Sequence, residues 1–105
     1  MYSIIKTQTR SSINIPFYFE KHSMSADYQN YFYHKFIVTK KFLSSDTVYS
    51  DDKLTVTKTT NWSSRNDFLE FMGDTYCYNN MVEPGREYDI ENEITADIEI
   101  KGNKL

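Results

Sequence analysis

Residues Leu54 to Met72 read LTVTKTTNWSSRNDFLEFM, and the change of period inside this stretch decides the fold. Up to Trp62 the residues alternate. Leu54, Val56, Lys58, Thr60 and Trp62 share one face, and Thr55, Thr57 and Thr59 share the other. Two-residue alternation with many β-branched side chains predicts a strand. From Ser64 onward the period lengthens, with Phe68, Leu69, Met72 and Tyr76 forming a helical stripe. Ser64 and Asp67 have the S-x-x-D spacing of a capping box, which places an acid near a helix N-terminus. A strand therefore ends on an aromatic and a Ser-capped helix begins, with Gly73 as a candidate for its end.

Upstream, Phe42 to Ser50 (FLSSDTVYS) has strand composition, and Asp51-Asp52-Lys53 joins it to Leu54 as a polar hairpin turn without glycine. Before it, Tyr28, Phe32 and Phe36 recur every four residues with Tyr31 beside them, which predicts an amphipathic helix N-capped by Ser23 or Ser25. Met1 to Arg10 (MYSIIKTQTR) suits a strand, and Pro16 breaks the segment after it. The Phe17-Tyr18-Phe19 cluster has no assigned conformation. Residues 77–92 (CYNNMVEPGREYDIEN) read as irregular, with Pro84-Gly85 as a turn. Ile94, Ala96, Ile98 and Ile100 then alternate with Glu93, Thr95, Asp97, Glu99 and Lys101, which predicts a strand with one buried and one solvated face. The order β-α-β-β-α-β is the ferredoxin-like α+β arrangement: a four-stranded antiparallel sheet with two helices on one face, as a single domain over 1–105.

Composition narrows the function. A net charge of −3 with a pI near 5.3 gives no electrostatic reason to bind nucleic acid or an anionic membrane. RNA-recognition modules share this element order, but they need stacking aromatics on central strands within a basic surface, and Leu54 to Asn61 carries no aromatic. Cys77 is the lone cysteine, so no intrachain disulfide forms. With no basic leader before an apolar core and no apolar run of membrane-spanning length, a reducing cytoplasmic setting is expected.

The second sheet face poses the functional question, since Leu54, Val56 and Trp62 opposite the threonines give a central strand material for both sides. A half-apolar open face seeks a second sheet. Here Leu54 to Met72 resembles the dimeric α+β barrel proteins, the broad group containing antibiotic-biosynthesis-type monooxygenases. In that group a strand ending in an aromatic is followed by a Ser-capped helix with two aromatics three apart, as Phe68 and Phe71 are. The resemblance implies a homodimer with sheets packed face to face and a ligand cavity between sheet and helices. Haem-degrading relatives keep a histidine late in the second helix. This chain has Tyr76, Cys77, Tyr78 and Met81 there, so haem chemistry is disfavoured.

Trp62, Arg10, Tyr31 and His34 are the candidate ligand-binding residues. Trp62 stands at the junction where such barrels line their cavity, and Arg10 ends the first strand, where it would meet an anion at the cavity mouth. Each has a plainer reading: helix-entry packing for Trp62, a salt-bridged arginine, a core tyrosine and a surface histidine. His22 and His34 lack further ligands at metal-binding spacing, so no metal and no cofactor is implied. Cys77 has no neighbouring His to activate it and reads as structural. The expectation is a small apolar or aromatic ligand bound by a homodimer. The alternative is a non-enzymatic structural or interaction module of a larger assembly, as in viral proteins of this size.

Overall fold

The computed structural model describes residues 1–102 and bears out the strand and helix order. Four strands, β1 (Tyr2–Thr9), β2 (Phe42–Tyr49), β3 (Thr55–Trp62) and β4 (Thr95–Gly102), form one antiparallel sheet in the order β2-β3-β1-β4. This is the ferredoxin-like sheet, with both helical connections on one face. The hairpin turn closes without glycine because Lys53 takes the left-handed conformation (φ 62°), and Arg10 fastens to its carbonyl.

Each helical connection is compound. In the first, α1 (Tyr18–Lys21) is a single turn that resolves the Phe17–Phe19 cluster, and α2 (Ala26–Phe32) follows. Ser25, not Ser23, caps α2, accepting from the Tyr28 amide at 3.2 Å. A π-helical stretch, Tyr33–Ile37, continues it, with the Val38 amide reaching back five residues to the Tyr33 carbonyl. In the second, Ser64 caps α3 (Arg65–Gly73), accepting from the Asp67 amide at 3.1 Å. The Asp67 carboxylate accepts from the Ser63 hydroxyl instead of closing the box on Ser64.

Residues 77–92 correct the sequence reading. They are helical: α4 (Thr75–Cys77), a second π stretch (Tyr78–Val82) and α5 (Glu83–Glu91). Proline lacks a backbone donor and is tolerated in the first turn of a helix. Pro84 stands there in α5, just after the wider π turn, so Pro84-Gly85 does not form a turn.

The main core joins Tyr2, Ile4 and Trp62 of the sheet to Tyr28, Phe36, Phe71 and Cys77 of the helices. A second cluster packs Phe17, Val56 and Ile94. Phe36, Phe42, Phe68 and Phe71 surround Trp62 with ring centroids 5.0–6.0 Å away. Two further expectations are overturned. Of the expected buried face Ile94 is buried, but every residue of β4 itself is exposed, Ile98 and Ile100 at 64% and 57%. They share the helix-side face with Lys6 and Ile4, and the helices leave that edge of the sheet uncovered. Nor is the open sheet face half-apolar. Val56 and Trp62 turn toward the helices, and the registered pairs leave mainly Thr, Ser and Asn outside, with Ile5 and Val48 among them. Ser44, Asn61 and Ser3 form a hydrogen-bonded row across three strands there.

Candidate functional site

The helix-side face of the sheet is the floor of a cavity of about 1300 Å³, larger than the roughly 300–1,000 Å³ usual for small-molecule pockets. Ile4, Lys6 and Gln8 of β1, Lys58, Thr60 and Trp62 of β3, and Ala96 and Ile98 of β4 line it from below. Phe32 and Ile37 come from the first helical connection, Met81 and Asp89 from the second. Phe68 and Phe71 wall the Trp62 end, while Tyr18, Phe19 and His22 lie in the lining contributed by the first connection. Strand alternation delivers the floor side chains, since alternate residues of β1 and β3 point at the helices.

The charged groups are unusual for such a floor. Lys6 and Lys58 are directly opposed on the two central strands. The Lys58 ammonium lies 3.8 Å from the Phe19 ring centroid. Burial, then the charge of Lys6, pushes the Lys58 amine below the ordinary lysine range. Asp89 of α5 is only 7% exposed, and its Oδ2 accepts from Gln8 Nε2 at 2.8 Å. Its Oδ1 has no hydrogen-bond partner among the described residues. Burial raises the Asp89 carboxyl above its usual range, opposed by the Gln8 hydrogen bond and the Lys6 charge. Together these groups supply positive charge and a carboxyl that can hold a proton beside aromatic walls.

Of the four residues named from the sequence, Trp62 lines this cavity and the other three do not. Trp62 is 2% exposed, so only a margin of the indole reaches the space, and its Nε1 donates to Thr60 Oγ1 at 3.1 Å. Arg10 is buried and satisfied internally. It donates to the Lys53 carbonyl from Nε and Nη2, to the Ile15 carbonyl and Glu20 Oε1 from Nη1, and stacks 4.2 Å over Phe17. Tyr31 donates to Asp74 Oδ2 at 2.6 Å, where Lys35 also donates, tying α2 to the start of α4. His34 is exposed, with Nδ1 2.9 Å from the Asn30 carbonyl. Among the described residues no His, Cys, Asp and Glu group of metal-binding size forms. Cys77 is buried and free.

Sequence reasoning passed over Lys6, Gln8, Lys58 and Asp89. The signal for Lys58 was present: a lysine in the same alternating register as Val56 and Trp62. Asp89 gave none, because its helix was read as irregular.

No protein-family model and no curated protein matches the chain. Solved structures do match. A candidate antibiotic biosynthesis monooxygenase from Deinococcus radiodurans superposes with a TM-score of 0.60 at 10% identity, over 100% of this chain and 94% of that one. A dimeric ferredoxin-like protein from an uncultured marine organism gives 0.58 at 10% identity, over 99% and 95%. The chain thus has the ferredoxin-like fold of these proteins along its whole length, a likeness of fold at one identical residue in ten.

Proposed function

We propose that this chain is a small-molecule binding protein that takes an aromatic ligand between its sheet and its helices. One observation carries the reading: a cavity of about 1300 Å³ walled by Trp62, Phe32, Phe68 and Phe71, with a few polar groups converging on its floor. Apolar walls with sparse, placed polar groups are the ordinary composition of a ligand site. A homodimer belongs to the same proposal. Its support is a fold neighbour described as dimeric and two apolar side chains left exposed outside the cavity, Val48 on the open sheet face and Ile100 at the sheet edge. A cytoplasmic, reducing setting suits the free thiol of Cys77.

Native mass spectrometry of the purified protein tests both parts, with calorimetric titration of 2-naphthamide as a neutral bicyclic probe. A dimer that carries added mass or binds the probe supports the reading. A monomer sinks the dimer, and the absence of both added mass and probe binding sinks the cavity reading. One observation favours a second reading, an interaction module of a larger assembly. β4 is an edge strand with unpaired backbone groups and two exposed isoleucines, an arrangement that partners pair with or cover. Assemblies larger than a dimer, without bound small molecules, are its expected signature.

A further inference from the structure

We infer that the cavity selects a small aromatic anion, with its carboxylate between Lys6 and Lys58 and its ring toward the Trp62 end. This rests on the ligand-binding reading above and adds the charge and orientation of the ligand. The first ground is placement. Lys6 and Lys58 are direct cross-strand partners on the two central strands, on the face that the helices cover. Side chains directly opposite one another have Cβ atoms about 4.5–5.5 Å apart, and like charges so placed repel. Two flexible lysine side chains rooted that close together can each bring an ammonium to one oxygen of a single carboxylate.

The second ground is what fails to neutralise them. The ion pairs among the described residues are Arg10–Glu20, Lys35–Asp74, Lys41–Glu70 and Lys101–Glu99, and neither floor lysine takes part. Asp89 faces them from α5, with Oδ2 bound to Gln8 and Oδ1 unpartnered among the described residues. The Lys6 charge reaches it, but burial outweighs that charge and favours its neutral form, so it forms no ion pair with either lysine. Asp46 also lines the cavity, but from β2, where its register partner Thr59 lies on the open face of the sheet. Burial weakens the lysine charge at Lys58, consistent with a pair short of a counter-ion. An anion between the two amines would remove the repulsion and restore the charge balance.

The third ground is length. Lys58 and Trp62 stand four residues apart on one face of β3, about 13 Å at the usual strand rise. A bicyclic aromatic acid spans most of that distance once the lysine side chain reaches toward it. Thr60 lies between them and offers a hydroxyl.

Calorimetric titration with 2-naphthoate and with its neutral isostere 2-naphthamide tests the inference on the full chain. The expected result is at least tenfold tighter binding of the naphthoate. The preference should shrink with added sodium chloride and disappear in Lys6→Met/Lys58→Met, where the two probes should bind alike whatever their common affinity. Equal affinity for the two probes overturns the anion inference and leaves the cavity reading standing. Failure of both probes overturns the two together. A naphthoate preference that survives in the double variant also overturns the inference. Should that variant fail to fold, the wild-type ratio and its salt dependence decide the question.

Discussion

Replacing Arg10 with methionine should cost this domain about 3 kcal/mol, on the following grounds. The guanidinium joins three segments: the end of β1, the hairpin turn at Lys53 and the Ile15–Glu20 segment. It makes four hydrogen bonds from a side chain 5% exposed. Such bonds contribute about 0.5–1.5 kcal/mol each, more with a charged partner. The stack over Phe17 adds about 1 kcal/mol. Against this, Glu20 is 29% exposed and keeps its bonds from the Tyr49 hydroxyl and the Phe17 amide, so its share is discounted. Methionine also retains part of the packing. For a domain of this size the loss lowers Tm by about 10–20 °C. Urea titration followed by circular dichroism measures it. Arg10→Lys keeps the charge without the planar fork and should recover less than half. A loss below about 1 kcal/mol, or full rescue by lysine, refutes the clamp. A variant that kept its stability but lost naphthoate binding would return Arg10 to the cavity mouth.

Three further outcomes follow from the charges and the sheet edge. Asp74 is held well below the usual carboxylate range: burial opposes its charge, but bonds from Lys35, Tyr31 and the Cys77 amide outweigh it. Its stabilisation is present above the ordinary value of 3.8 and lost as pH falls through the depressed folded value. Asp74→Asn should therefore lose about 1 kcal/mol at pH 7 and flatten the acid limb of the urea midpoint against pH. Asp89 carries the opposite sign. Its raised carboxyl favours the folded state at low pH and disfavours it as pH rises, so Asp89→Asn should raise the urea midpoint at pH 7, with the gain vanishing below about pH 4. A lower midpoint at pH 7 would contradict the buried-acid argument. Ile100→Ser, on the exposed edge and outside the cavity lining, should leave monomer stability within about 0.5 kcal/mol while weakening self-association in sedimentation.

The fold was legible where one rule acted alone. The alternation before Trp62 and the Ser64 cap gave β3 and α3 because burial and capping left periodic marks. Residues 77–92 hid their helix for a physical reason: the inward position holds Asp89, while its neighbour Ile90 is 71% exposed, so the hydrophobic pattern is inverted. Pro84 completed the disguise. β4 shows the limit of alternation, which tells which side chains share a face but not whether anything covers it. At the site, Trp62 was readable from its junction and Lys58 from its register. The pairing of Lys58 with Lys6 was not, since it depends on which strands become neighbours. Arg10 misled because a strand-end arginine looks alike whether it awaits an anion or grips its own backbone.

The two π stretches carry a consequence for how the chain tolerates changes of length. A π turn holds one residue more than an α turn, and each residue advances a helix by about 100°. Deleting one exposed residue from 33–37, such as His34, would close the wide turn into an α turn and leave everything beyond it facing as before, with Phe36 still against Trp62 and Phe71. The same shortening in 78–82 would keep Asp89 on Gln8. A deletion inside α2, α3 or α5 has no wide turn to absorb it and would swing the following side chains by about 100°. The π stretches are therefore the places where these connections can lose one residue and keep their packing.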